Sequence, residues 1–240
     1  IWKNGFDTAD IELVAPGGQT AGPLQQFLGA QRFVLEGTEI LLYYGEASPY
    51  TMAQEIYIDF LPSDTYITPG IWTVRLRGRK IVDGRCHLWL PGSAARNLQT
   101  RFLYPEPEYT LTVPSTALKP IAVGAYNGYT DAYADFSGRG FTVFNQWIKP
   151  DLAAPGVDIQ TTKAGGGYTT VTGTSFAAPF VSGSCALLME EGIIRGSDPY
   201  LYGEKVKAAL IKGARRLPGI ENYPDPKVGW GALCLRDSMI

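Results

Sequence analysis

A twelve-residue stretch from Thr172 to Gly183 places the strongest constraint on the fold of this chain. It begins with a glycine turn at Gly173 and runs into small and apolar residues that continue to Met189. This pattern predicts a helix that is apolar nearly all round and therefore buried, with Thr174 as its N-cap. Pro179 fits only near the start of such a helix, where a missing N–H costs little.

Ser175 lies in the first turn of this predicted helix. Its hydroxyl would emerge at the positive end of the helix dipole, and its backbone N–H would be a free donor. A nucleophile whose attack creates an oxyanion needs both properties. The alternative is a serine that only helps to cap a core helix. A lone Gly-x-Ser would favour that alternative, because short motifs have many false matches.

The longer segment from Gly173 to Gly183 closely resembles the sequence around the nucleophilic serine of subtilisin-like serine proteases, the subtilases. Three flanking segments resemble the family in order and spacing: Pro120–Ala125, Phe136–Gly138 and Lys149–Gly156. The resemblance covers about residues 114–240 and implies a serine endopeptidase. It also implies that Ser175 is the catalytic nucleophile and that its backbone N–H forms part of the oxyanion hole. The residues that support the motif are Gly173, Thr174 and Pro179.

Residues 1–113 have the pattern of antiparallel β structure, with short strands and no amphipathic helix between them. The segment Phe33–Tyr44 is predicted as two strands about a Gly37–Thr38 turn, and Val82–Arg85 as a hairpin turn. The other predicted strands are Ile11–Val14, Gln54–Phe60, Ile71–Leu76 and Cys86–Leu90. Strands at this spacing indicate an antiparallel β-sandwich, which we interpret as a jelly roll.

From residue 114 the pattern changes to α/β. Ile121–Ala125 is a short apolar run that is typical of a buried parallel strand. Asp198–Pro199 predicts a helix start. One face of that helix carries Val206, Ala209, Leu210 and Gly213. The predicted fold class is therefore α/β and all-β. An antiparallel jelly-roll β-sandwich, residues 1–113, precedes the C-terminal part of a subtilisin-like α/β domain, residues 114–240.

The first half of the chain narrows the resemblance further. Segments such as Pro69–Leu76, Ile81–Arg85 and Thr100–Leu103 look like the jelly-roll insertion of the germination-associated Csp-like proteases of spore-forming bacteria. In those proteins the insertion lies within the catalytic domain, just before the strand that corresponds to Ile121–Ala125. The resemblance implies a secreted or spore-associated protein, and the sequence leaves its compartment open.

Subtilases supply an Asp, a His and an oxyanion-hole Asn before the Ser. The single histidine, His87, lacks the Gly-Thr that follows the family's catalytic His and falls inside the predicted insertion, so we interpret it as a partly solvated strand residue. Asn4 precedes Gly5 in a context that matches strand entry. We therefore expect the Asp, His and Asn in an N-terminal segment upstream of Ile1, which could include a propeptide. The isolated chain is expected to be inactive.

Composition excludes several classes. The chain has 45% apolar and 18% charged residues, as folded globular proteins do, and its net charge of −2 gives no argument for nucleic acid as a partner. No apolar run approaches the ~20 residues of a membrane span, so none is expected. Three scattered cysteines, Cys86, Cys185 and Cys234, predict neither a disulfide framework nor a zinc site.

The expected chemistry requires no cofactor. Subtilases often bind Ca²⁺, but the acidic residues here lack the dense spacing of a calcium loop, and no ligand set is identified. These residues are Asp131, Asp135, Asp151 and Asp158. The expected partners are a peptide or protein substrate and the upstream segment. The sequence does not predict the P1 preference.

Two alternatives from other classes stay open. One is a pseudoprotease that keeps the fold for partner binding. The other is a carbohydrate-binding sandwich, since five Trp and fourteen Tyr could provide exposed rings that stack on pyranoses. Aromatic residues in strands more often pack across the sheet. The upstream sequence would discriminate the first alternative, and a glycan-binding screen the second.

Overall fold

The computed structural model describes residues 1–24, 26–46, 51–92, 95–143 and 146–239. The chain divides into two compact units, Ile1–Arg101 and Phe102–Ile240. This division falls twelve residues before the predicted boundary at residue 113. Residues just before 113 lie with the second unit, because the Thr110 N–H donates to the Arg139 carbonyl at 3.1 Å. The assignment of residues 1–113 and 114–240 as separate domains stays a prediction.

The first unit contains, among its described residues, eight strands that all pair antiparallel. The strands are β1 (Trp2–Asn4), β2 (Thr8–Val14), β3 (Thr20–Leu24), β4 (Gly29–Leu35), β5 (Thr38–Tyr44), β6 (Ala53–Pro62), β7 (Thr73–Lys80) and β8 (Cys86–His87). One sheet has the order β4-β5-β6-β1-β8 and the other the order β3-β2-β7.

One apolar core joins the two sheets of this unit. Ile11 and Leu13 of β2 pack in the same buried cluster as Ile40 and Leu42 of β5 and Ile56 of β6. In β2, β4, β5, β6 and β7 alternate residues belong to this core, as the period of two predicted. The unit is therefore an antiparallel β-sandwich. A jelly-roll connection pattern does not follow from these two sheets and stays a prediction.

The turn between β4 and β5 lies one residue earlier than predicted. Leu35 pairs with Thr38, so the two turn residues are Glu36 and Gly37, with φ angles of 48° and 74°. Two positive φ angles are what a type I′ hairpin turn requires, and its twist matches that of the flanking strands. Thr38 is thus the first residue of β5 rather than part of the turn.

The hairpin predicted at Val82–Arg85 is wrong, because β7 and β8 belong to different sheets. The chain instead bends around the buried carboxylate of Asp7. Asp7 Oδ1 accepts the N–H groups of Val82 and Asp83 at 2.6 and 3.0 Å, and Asp7 Oδ2 accepts that of Gly84 at 2.8 Å. A carboxylate that satisfies three N–H groups replaces the ladder bonds of a hairpin and carries the chain from one sheet to the other.

The described strands of the second unit are β9 (Val123–Asn127), β10 (Ala132–Tyr133), β11 (Gly140–Phe141), β12 (Ile148–Lys149), β13 (Leu152–Pro155), β14 (Ile159–Thr162) and β15 (Tyr168–Val171). A small central sheet has the order β10-β9-β13, in which β9 and β13 run parallel. Two hairpins, β11–β12 and β14–β15, accompany it. The prediction of a buried parallel strand near residues 121–125 is confirmed by β9, whose three central residues are buried.

Three α-helices lie in the described part of this unit: α1 (Thr174–Met189), α2 (Gly203–Lys212) and α3 (Leu235–Ser238). A π-helical turn, Glu190–Ile194, extends α1. The predicted start of α2 at Asp198–Pro199 is wrong. These residues form a separate turn, in which the Leu201 N–H donates to the Asp198 carbonyl at 3.0 Å. The predicted apolar face of α2 is confirmed, since Val206 and Leu210 are buried.

Candidate active site

Two glycines hold the start of α1 at the carboxyl end of β13. Gly156 follows β13 directly, and its carbonyl accepts the Gly173 N–H at 2.8 Å. A Cβ at Gly156 would lie 2.7 Å from Ala125 Cβ and 3.0 Å from the Gly173 carbonyl oxygen, so the close approach requires glycine. Helix α1 therefore begins at the carboxyl ends of parallel strands, where α/β proteins commonly bind ligands.

Gly173, rather than Thr174, is the N-cap of α1. Its φ of 154° and ψ of 158° suit glycine better than threonine, and Thr174 is the first helical residue. The predicted N-cap is thus wrong by one residue. Because a glycine cap has no side chain, it leaves the N–H groups of the first turn without a side-chain acceptor.

Ser175 is exposed at the second position of α1. Among the described residues, neither its Oγ nor its backbone N–H forms a hydrogen bond. The N–H therefore points from the positive end of a sixteen-residue helix with its donor capacity unused. A hydroxyl beside a free donor at a helix N-terminus is the arrangement that an acyl-transfer nucleophile needs.

Pro179 lies inside α1 and is exposed. Because proline has no N–H, it cannot donate the helical hydrogen bond to the carbonyl of Ser175, four residues earlier. The Ser175 carbonyl therefore receives no helical hydrogen bond from position 179.

The prediction that α1 is buried all round is wrong for one of its faces. Ala177, Val181, Ser184 and Leu188 are buried against the core of the unit, which includes Ala125 and Leu152. The opposite face is open: Phe180 is 43%, Leu187 49% and Met189 43% exposed. This face is apolar without being covered by the described residues.

The π turn also changes the expectation about membrane spans. With it, the helix Thr174–Ile194 reaches 21 residues with a mean hydropathy of 1.2, enough by length and composition to span a membrane. The sequence-based statement that no run approaches that length is therefore wrong. Core helices of globular proteins can have the same length and composition.

A pocket of about 460 Å³ opens beside the start of α1. It is lined on one side by Thr174, the neighbour of Ser175, and elsewhere by residues that include Thr112, Asp135 and Ser137. Sequence reasoning missed it, because residues 110–115 were assigned mainly to the sandwich. The polar residues before Pro120 carry no periodic signal that would place them next to a helix sixty residues later.

A buried charge cluster fixes the start of β9 beside this pocket. Asp151 Oδ2 accepts the Ala122 N–H and a hydrogen bond from Lys149 Nζ, both at 2.7 Å, and Lys207 Nζ lies 2.8 Å from Asp151 Oδ1. Both lysines also donate to the Pro120 carbonyl at 3.2 Å. Burial lowers the pKa of Lys149, and the bond to Asp151 opposes that shift.

Three of the four acidic residues considered for Ca²⁺ have other partners, and the fourth, Asp135, lines the pocket beside α1. Asp131 forms a bidentate ion pair with Arg215 at 2.8 and 3.1 Å, and this bond holds the pKa of Asp131 below its usual range. Asp151 is held by two lysines, and Asp158 lies 3.4 Å from Thr172 Oγ1. Among the described residues no three His, Cys, Asp or Glu side chains cluster. A Ca²⁺ ligand set thus stays unidentified, and Ca²⁺ binding stays an untested possibility of the family resemblance.

The other candidates from the sequence lie in the first unit. His87 is a partly buried residue of β8, opposite Trp2, and burial followed by Arg85 lowers its pKa. Asn4 is buried at the end of β1, where its Oδ1 accepts the Phe6 N–H at 2.9 Å. Strand geometry thus explains both residues. The three cysteines are all free thiols.

The fold and the site together define an α/β unit with an exposed serine at a helix N-terminus, attached in sequence to a β-sandwich. A family model described as the subtilase family matches residues 95–231. The chain belongs to the subtilase family.

Similar proteins agree with this assignment. The PII-type proteinase of Lactococcus lactis subsp. cremoris is 38% identical over 204 residues, which are 84% of this chain and 9% of that protein. Serine protease AprX of Bacillus subtilis (strain 168) is 32% identical over 151 residues, 54% of this chain and 32% of that protein.

Among solved structures, the Clostridium perfringens CspB protease superposes with a TM-score of 0.86 at 38% identity and covers 99% of this chain and 49% of its own. The chain is therefore a subtilisin-like protease chain related to the Csp proteases. It spans about half of the CspB chain and smaller shares of the two curated relatives.

Proposed function

We propose that the chain is part of a serine endopeptidase that hydrolyses peptide bonds through an acyl-enzyme, with Ser175 as the nucleophile. The observation that carries the proposal is the exposed Ser175 hydroxyl beside its own unused N–H at the start of α1. The match of the subtilase model to residues 95–231 supports it. No cofactor takes part in this chemistry.

In the proposed reaction, Ser175 Oγ attacks the peptide carbonyl carbon while a histidine removes the hydroxyl proton. The same histidine then protonates the leaving amine, and water hydrolyses the acyl-enzyme by the reverse sequence. The Ser175 N–H donates to the oxyanion together with an asparagine. One such donor contributes about 3–4 kcal/mol to transition-state stabilisation, a magnitude known for subtilisin, itself a subtilase.

We place the histidine, its aspartate and the oxyanion asparagine outside these 240 residues. His87 is held in strand β8 of the first unit and is not followed by Gly-Thr, and Asn4 already accepts the Phe6 N–H. A segment upstream of Ile1 would supply all three residues and would cover the open face of α1. The exposed side chains of Phe180 and Leu187 support this placement, because apolar faces of this kind are normally buried.

The sandwich would be a jelly-roll insertion within the catalytic domain. Its support is the similarity of 99% of the chain to the CspB structure together with the two antiparallel sheets of the first unit. In this arrangement the two regions 1–113 and 114–240 would be neighbours in sequence without sharing a catalytic role. A peptide or protein would be the substrate.

A fluorophosphonate probe tests the proposal. The isolated chain is expected to show no labelling, because without a base the Ser175 hydroxyl stays protonated and weakly nucleophilic. Supplying the upstream segment in trans is expected to produce stoichiometric labelling. Ser175→Ala should abolish it, and Ser182→Ala, which removes another exposed hydroxyl of the same helix, should not.

Each arm has an outcome that contradicts it. Labelling that survives in Ser175→Ala would exclude Ser175 as the nucleophile. Ser175-dependent labelling of the isolated chain would show that its machinery is complete. A folded complex with the upstream segment that stays unlabelled would favour the pseudoprotease.

A further inference from the structure

We propose that the outer face of the five-stranded sheet binds a neutral β-linked glycan on a platform formed by Tyr43, Tyr57 and Trp2. In β5, residues such as Leu42 and Tyr44 are fully buried in the core. Tyr43 lies between them and therefore points to the opposite, outer face. The proposal is independent of the peptidase chemistry, which concerns the second unit.

Strand register brings the three aromatic residues onto neighbouring strands of one face. Tyr43 of β5 lies directly opposite Tyr57 of β6, and Trp2 of β1 lies opposite Glu55, two residues before Tyr57. Side chains directly opposite have Cβ atoms about 5 Å apart, and diagonal neighbours remain within reach of aromatic rings. The three rings thus form a diagonal row across β5, β6 and β1.

The two tyrosines of this platform are unusually open for strand residues. Tyr43 is 48% and Tyr57 50% exposed, and neither hydroxyl has a hydrogen-bond partner among the described residues. Gly45, which directly follows β5, adds no side chain beside Tyr43. The two tyrosines therefore present both flat ring surface and free hydroxyls on the outer face of the sheet.

Two carboxylates flank the platform along β6. Glu55 and Asp59 lie two residues on either side of Tyr57 and so share its face. Neither forms an ion pair within the part of the chain that the structure describes. Carboxylates accept hydrogen bonds from hydroxyl donors and repel anions. The face thus favours a neutral ligand with many hydroxyls and excludes nucleic acid.

The size of the platform argues against a protein partner. An aromatic side chain buries about 150–250 Å² when fully covered, so two half-exposed tyrosines offer about 200 Å². A stable protein–protein interface needs about 800 Å² from each partner. Beyond Asp59 the face carries the ion pair of Arg32 and Glu39 at 3.0 Å and the aliphatic side chains of Val34, Leu41 and Leu61, and the described strands add no further Phe, Tyr or Trp ring to it. A pyranose ring has an apolar CH face and a rim of hydroxyls, which match the rings and the carboxylates.

The direction of the row selects the linkage. Three neighbouring strands span about 10 Å, since adjacent strands lie about 4.8 Å apart. An extended, flat β-linked chain can follow such a row over successive sugars, whereas an α-linked chain coils away from a flat surface. A cationic side chain could also contact the rings. A cation binds best when aromatic faces enclose it, and a flat row of neighbouring residues does not enclose a ligand.

Isothermal titration of the 240-residue chain tests the proposal, with chitohexaose and cellohexaose as probes and maltohexaose as the α-linked control. We expect saturable binding of a β-linked probe. Tyr57→Ala should weaken it about tenfold, equivalent to about 1.4 kcal/mol. Tyr57→Phe should retain it. Tyr66→Ala, which removes an 81% exposed tyrosine of the same unit, should leave it unchanged.

Three results would overturn the proposal. One is the absence of binding by both β-linked probes to the folded chain. Another is equal weakening by Tyr66→Ala and Tyr57→Ala, which would indicate non-specific stacking. The third is Tyr57-dependent binding of hexalysine, or Tyr57-dependent self-association, in place of glycan binding. These would assign the face to a cationic peptide or to a second copy of the chain. Whether the β-linked probes bind at all is decided by titration of the wild-type chain alone, so a variant that fails to fold does not affect that result.

Discussion

Substitution of Gly156 by alanine should shift the start of α1 and lower the reactivity of Ser175, although Ser175 itself is unchanged. The added Cβ would lie 2.7 Å from Ala125 Cβ, whereas ordinary contacts between such atoms begin at 3.4 Å. The backbone segments that carry Gly156 and Ala125 must therefore separate by at least 0.7 Å. It would also press on the Gly173 carbonyl oxygen at 3.0 Å. Ala125 lies in the fully buried core of β9 and Gly173 caps α1, so the movement passes to the helix.

The magnitude follows from this overlap. Overpacking of a close-packed site costs about 1–3 kcal/mol. The loss of glycine flexibility in the unfolded chain offsets about 0.4–1 kcal/mol of that cost. A net loss of about 1–2 kcal/mol in the free energy of unfolding is therefore expected for Gly156→Ala. A displacement of nearly 1 Å at a reacting group can lower its rate up to about a hundredfold.

Urea titration followed by circular dichroism at 222 nm measures the first effect, because the described helices all lie in the second unit. The labelling rate of Ser175 in the trans-complemented chain measures the second. Gly183→Ala is the matched control. Gly183 lies in α1 with nothing within 4 Å of an added Cβ, so alanine should stabilise by about 0.5–1 kcal/mol. An unchanged labelling rate in Gly156→Ala would refute the argument.

Two further predictions follow from single residues. Burial raises the pKa of Asp7, but the N–H groups of the 82–84 bend and Lys3 outweigh that effect and lower it. A lowered pKa stabilises the fold above about pH 4, and this stability is lost as pH falls through the folded-state pKa. Asp7→Asn should weaken the sandwich at pH 7 and flatten its stability below pH 4, measured by tryptophan fluorescence. Identical acid transitions would contradict it. The open face of α1 should make the isolated chain self-associate in sedimentation velocity. Leu187→Gln should reduce the association, whereas Leu98→Gln, at an exposed site of the first unit, should not. A stable monomer at high concentration would contradict this.

Local patterns in the sequence predicted the elements whose stability is local. The strand Gln54–Phe60 alternates apolar and polar residues, and β6 confirms it. The small and apolar run after Gly173 is α1. The candidate nucleophile was identified because its immediate neighbours carry both the helix start and the family motif. In each case the residues that decide the structure lie within a few positions of one another.

Errors arose where a distant residue decides the local conformation. Val82–Arg85 has the composition of a hairpin turn, but the carboxylate of Asp7, 75 residues earlier, binds its N–H groups. The hydrophobicity of α1 indicated burial on all sides, and no local signal shows that Phe180 and Leu187 are open in this chain. The close contact of Gly156 with Gly173 joins residues seventeen positions apart, and the sequence around either glycine does not predict this contact.

That glycine contact separates the hairpin β14–β15 from the residues on either side of it. Its ladder runs from the bond between Gly173 and Gly156 to the Lys163 N–H, which donates to the Gly167 carbonyl at 3.0 Å. Because the stem is closed at its base, residues added at the tip cannot pull on Ser175. Doubling the length of such a loop costs only about 0.6 kcal/mol. We therefore expect that the tip, Gly165–Gly167, can be lengthened while Ser175 keeps its position.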